Sequence, residues 1–169
     1  MRRFIFSSAI MATALLVSLV GAMPIHAASP QDTDALSSLN EVKVAFDMQT
    51  GNSAALLKQL EVIEETRDSL IKQGVKPSFV ITFRGPATKL VQTDPGEIAA
   101  DDRENARTIA GKIRALKTAE GIASIEQCAV AVRLAGTKQE NVLPEIKVVG
   151  NGWISLMAYQ AKGYGYIAP

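Results

Sequence analysis

Between Pro77 and Arg84 the chain reads Ser-Phe-Val-Ile-Thr-Phe with almost no polar interruption. A strand with one face in water alternates apolar and polar residues. A continuous apolar run suits a strand covered on both faces, as in a parallel sheet flanked by helices.

The rest of the chain fits that frame. Residues 41–47 (EVKVAFD) begin as an alternating strand with Val42, Val44 and Phe46 on one face. Thr50 to Ser53 form a turn with ready N-cap residues, Asn52 among them, and a helix runs from there to about Gln73. Leu56, Leu60, Ile63 and Leu70 recur on its inner side, acids line the other, and Gly74 ends it. Arg84, Gly85 and Pro86 close the apolar strand, and Ala87 to Val91 make a short helical turn. Asp94 followed by Pro95 reads as the start of a long helix reaching Thr118, with Ala106, Ile109, Ile113 and Leu116 inward.

Gly121 ends that helix. Ile122 to Gln127 is the third strand, reaching Cys128, and Ala129 to Ala135 is a short helix stopped by Gly136. Ile146 to Gly150 is a fourth strand. Asn151 and Gly152 open a helix through Trp153, Leu156, Met157 and Tyr159 that Gly163 stops, and Tyr164 to Ile167 add a last strand. Strands and helices in this rhythm predict a three-layer α/β/α sandwich, its sheet mostly parallel and of about five strands. The functional crevice of such a sheet lies at the carboxyl ends of the strands. Three loops are expected to meet there: Asp47–Ser53, Arg84–Ala87, and the turn after Cys128.

The first residues read differently. Met1-Arg2-Arg3, an apolar run from Phe4 to Val20 and a Gly/Pro break ending in Ala27 have the layout of a secretory signal peptide. Residues 1–27 are therefore expected to be cleaved on export to the periplasm, with 28–40 a flexible lead-in and 41–169 one domain. Removing the leader takes Arg2 and Arg3, so the formal charge goes from 18 − 17 = +1 to 16 − 17 = −1. A nearly neutral chain without a basic block gives no electrostatic reason to expect nucleic acid or an anionic membrane as partner.

Cys128 is the only cysteine. In an oxidising compartment an unpaired thiol is buried and inert, paired between chains, or kept for reaction. Its place where a strand turns into a helix favours a thiolate, while the flanking Ala129 and Val130 favour burial as a small core residue. Arg84, at the end of an apolar strand and followed by Gly85, is placed to reach an anionic ligand or the thiolate. Arg133 falls off the thiol's immediate face and reads as a solvated arginine. Asp47 and Asn52 sit in the first loop, where they orient a ligand or only organise the turn. Trp153, Tyr159, Tyr164 and Tyr166 read as packing for the core or a subunit contact.

Absences narrow the chemistry. His26, the only histidine, belongs to the leader, which leaves no Ser-His-Asp or Cys-His apparatus and no His/Cys zinc site. No P-loop and no GxGxxG after a strand is present. No metal and no cofactor is expected.

Residues 80–87 (VITFRGPA), 125–131 (IEQCAVA), 143–149 (LPEIKVV) and 160–164 (QAKGY) through Pro169 together resemble the DsrE/DsrF-like family, in its exported branch. The resemblance spans about Glu41 to the end. It implies an α/β/α fold with a parallel-sheet core, assembly as homo-oligomers and, in the sulfur-oxidation members, a cysteine that accepts sulfane sulfur as a persulfide and passes it on. Only Cys128 maps onto that cysteine. Where members often have glycine next, this chain has Ala129. The expected function is therefore a periplasmic sulfur carrier or sulfurtransferase, with a sulfur donor or acceptor protein as partner. The alternative is a non-catalytic oligomeric module, binding a small ligand or a partner, in which Cys128 is structural.

Overall fold

Lys76–Phe83 forms β2, the middle strand of the sheet, and its apolar run is buried from both sides. The computed structural model describes residues 30–169, so the expected leader lies outside the described residues. The order of elements is β1 (Glu41–Met48), α1 (Ser53–Lys72), β2, α2 (Arg103–Lys117), β3 (Ile122–Cys128), α3 (Ala129–Ala135), β4 (Lys147–Val149), α4 (Gly152–Ala161) and β5 (Gly165–Ile167). The sheet runs β4-β3-β2-β1-β5, and every pairing is parallel. The expected three-layer α/β/α sandwich is what forms, with the sheet wholly parallel.

The strands' period of two divides the core. Phe46, Met48, Phe79, Ile81, Phe83 and Ile125 face α1 and α2, meeting Leu56, Leu60, Ile63, Ile109, Ile113 and Leu116. Ala45 and Val80 face the other way and pack with Leu156 of α4, flanked by Tyr159 and Tyr164. Phe46 and Phe79 meet edge to face, with centroids 5.1 Å apart. Within 28–40, hydrogen-bonded turns join Asp32 to Leu36 and Leu36 to Leu39, and Leu36 rests against the larger core.

One helix starts later than its sequence signals. Asp94 caps through Gly96, but the chain then makes a 3-10 turn over Pro95–Glu97 and a second over Ala100–Asp102 before α2 begins. The reason lies between the turns. Ile98 and Ala99 are extended, Ile98 is buried, and Arg103 Nε reaches back to the carbonyls of Pro95 and Ile98. Burying Ile98 outweighs continuing the helix through Gly96. Among the described residues, no helix is long and apolar enough to cross a membrane.

Candidate functional site

At the carboxyl ends of β1, β2 and β3 the sheet opens into a cavity of about 670 Å³. Gly51 from the first loop, Arg84, Gly85 and Pro86 from the second, and Cys128, Val130 and Ala131 after β3 all line it. Gly85 has φ +56°, the left-handed region open to glycine, and this turns the chain from β2 into a 3-10 segment over Gly85–Leu90. Leu134 and Trp153 form outer walls, 75% and 61% exposed. Apart from Arg84, Lys89, Asp102 and Asn151, the wall around Cys128 is glycine, proline and apolar side chains.

Cys128 ends β3 and lies in this wall, 5% exposed, with a free thiol. It is also the residue from which α3 starts, though its side chain makes no capping bond. Strand alternation points it, with Glu126 and Ser124, toward α4. The close neighbour is Gly152, the first residue of α4: a Cβ there would stand 3.0 Å from Cys128 Cβ and 3.5 Å from its Sγ. The first turn of α4 can pack on the thiol because position 152 has no side chain.

Arg84 projects into the cavity from the end of β2 and is fixed from two sides. Its Nε and Nη2 donate to the Oδ1 and Oδ2 of Asp47, and its guanidinium lies 5.6 Å from the centroid of the Trp153 ring. Burial disfavours the Arg84 cation, but the bonds and charge of Asp47 more than offset it, and the pKa is raised. Asp47 therefore spends its carboxylate on the protein. It is 1% exposed and also accepts from Tyr166 Oη at 2.6 Å and Gln49 Nε2 at 2.9 Å. Asn52 takes no part in the cavity. Its Oδ1 accepts from Ala55 N at 2.8 Å, capping α1. Arg133 is exposed. Of the residues read from sequence, the fold gathers Cys128, Arg84 and Gly85 around one space, sets Asp47 behind Arg84, and leaves Asn52 outside.

Sequence reasoning passed over Glu126 and Gln127. Both are buried, on opposite faces of β3. Glu126 accepts from Ser124 Oγ and Tyr159 Oη at 3.0 Å each and from Ser155 Oγ, a carboxylate met by three hydroxyls. Gln127 Nε2 donates to Thr88 Oγ1 and to the carbonyl of Cys128, tying the segment after β2 to β3 beside the thiol. The available signal was the pair itself: two polar residues in a strand covered on both faces require partners. In the register Asp47, Thr82 and Glu126 form one buried polar row across three strands, facing α4. Among the described residues, no His, Cys, Asp and Glu cluster could hold a metal ion.

No family model matches the chain. A protein of Aquifex aeolicus described as uncharacterized is 26% identical over 126 residues, which are 75% of this chain and 55% of that protein. The chain thus spans about half the length of the curated relative it matches. Among solved structures, MTH1491 from Methanobacterium thermoautotrophicum, a protein of unknown function, is similar with a TM-score of 0.55 at 16% identity. The match covers 76% of this chain and 99% of that one. That likeness is one of fold, and it agrees with the α/β architecture above.

Proposed function

We propose that this chain is an exported sulfur-handling protein of the DsrE/DsrF-like kind, in which Cys128 accepts sulfane sulfur as a persulfide and passes it on. The observation that carries this reading is the position of the free Cys128 thiol, at the carboxyl end of a central parallel strand and in the wall of a cavity it shares with Arg84. The Cys128 thiolate attacks the sulfane sulfur of a donor. A new S–S bond forms while the donor's bond to that sulfur breaks and its electron pair leaves with the donor remnant. An acceptor thiolate then attacks the outer sulfur and releases Cys128 as the leaving thiolate. Asp47 occupies Nε and Nη2 of Arg84, so Nη1 is the edge for an anionic donor. The leader pattern of residues 1–27 supports a periplasmic setting, and the family resemblance supports a homo-oligomer and a donor or acceptor protein as partner.

The test is an intact mass spectrum after incubation with a persulfide donor, beside Cys128→Ser. A gain of one sulfur atom is expected, reversed by reductant and missing from the variant. The near-complete burial of Cys128 favours a second reading, a binding module with a structural cysteine. No sulfur gained by folded, reduced protein selects that reading.

A further inference from the structure

We infer that the donor this cavity takes is a singly charged anion with an apolar body, an organic thiosulfonate rather than a bare inorganic dianion. The inference rests on the reading of Cys128 as a sulfur acceptor and names the substrate of that same site. Two features of the wall carry it. First, the positive charge is limited. Arg84 is paired with buried Asp47, and Lys89 lines the cavity together with the oppositely charged Asp102, so the four charges cancel. One diffuse negative group can bond the free edge of Arg84, and a dianion finds no surplus cation for its second charge. Second, Leu134, Val130 and Trp153 give the cavity that Cys128 lines an apolar surface that a small inorganic anion leaves uncovered. A ligand with a hydrocarbon or aromatic body removes that surface from water.

The chemistry balances. Cys128 thiolate and R–SO2–S⁻ give Cys128–S–S⁻ and the sulfinate R–SO2⁻. The bond between the sulfonyl and sulfane sulfurs breaks with its electron pair going to the sulfinate, so the sulfonyl sulfur is reduced as the cysteine sulfur is oxidised. Both reactants are anions, which is why a fixed guanidinium lining the same cavity as the thiol matters: its free edge offsets part of their repulsion on approach.

The experiment tracks persulfidation of the whole purified chain by intact mass, with sodium benzenethiosulfonate, sodium methanethiosulfonate and thiosulfate as donors. Each rate is divided by that of the same donor with glutathione, which removes intrinsic reactivity. The expected result is a preference for the benzene donor over the methane donor on the order of tenfold, with thiosulfate slowest. In Leu134→Asp, a change at an exposed position of the wall, that preference falls to near one. Equal normalised rates in the parent, or a preference that Leu134→Asp leaves intact, overturn the inference about the donor while persulfide formation stands. If folded, reduced protein takes sulfur from none of the three and from polysulfide neither, the sulfur-acceptor reading fails and the donor class with it.

Discussion

Arg84 grips Asp47 with two parallel bonds, Nε to Oδ1 at 2.6 Å and Nη2 to Oδ2 at 2.5 Å, linking the end of β1 to the residue just past β2. Tyr166 on β5 bonds the same carboxylate, so three neighbouring strands are tied at the end where the cavity opens. The arrangement fixes a long cationic side chain in one orientation, with its Cζ over the Trp153 ring, 5.6 Å from the centroid.

Asp47→Asn keeps the shape and removes the charge, leaving the Arg84 guanidinium largely buried without its counter-ion. We expect a loss of about 3 kcal/mol in urea unfolding. Tyr166→Phe removes one bond to the same group and should cost about 1 kcal/mol. The two changes share a partner, so the double variant should lose less than the sum of the singles. Strict additivity would show that Tyr166 and Asp47 act independently.

The same bond makes stability depend on pH in the alkaline range. The hydrogen bond to Asp47, with burial second, raises the Tyr166 phenol above its ordinary 10.0, since ionising it would break that bond beside a carboxylate. A raised folded-state pKa means the native protein holds the proton more tightly than the unfolded chain. The contribution is therefore complete below pH 10 and is lost as the pH rises from there through the folded-state value. Denaturant midpoints measured from pH 8 to 11 should fall above pH 10, and Tyr166→Phe should flatten part of that fall. An identical slope in both proteins would remove Tyr166 from the account.

The layers were legible because they depend on local pattern. The run Phe79–Phe83 demanded cover on both faces, and Leu56, Leu60, Ile63 and Leu70 marked the buried side of α1 without any tertiary information. Asn52 was legible as a cap residue, and capping is what it does. The site was only half legible. Cys128 and Arg84 stand out by residue type and by their place at strand ends, but Asp47 finds Arg84 across 37 positions and Glu126 finds Tyr159 across 33. Such pairings depend on strand order and on which helix covers which face, and local pattern specifies neither. The late start of α2 was hidden for a related reason, because the value of burying Ile98 depends on a core that other segments build.

Glu126 is met by three hydroxyls and, among the described residues, by no cation, so its partners should reveal it. The Tyr159 phenol is raised first by burial and then by its bond to Glu126. In Glu126→Gln the charge is lost while the size is kept, and the Tyr159 transition, monitored by ultraviolet absorbance, should move down toward 10. Ser155→Ala leaves a lone pair of a buried carboxylate unmet and should cost about 1–2 kcal/mol. An unmoved tyrosine transition in Glu126→Gln would show that burial alone sets the phenol.

Gly152 is where packing and the thiol meet most closely. A methyl group at this position would lie 3.0 Å from Cys128 Cβ and 3.4 Å from Thr82 Cγ2, against two strands that cannot both retreat. Gly152→Ala should therefore push the start of α4 off the sheet and cost about 1–3 kcal/mol, despite the better helix propensity of alanine. The clash is with the Cβ of residue 128, which every side chain but glycine keeps, so Cys128→Ala should not relieve it in a double variant. With α4 displaced, the Cys128 thiol should also react faster with iodoacetamide than in the parent protein. If Gly152→Ala were neutral in stability and in labelling rate, α4 would not be what limits access to the thiol.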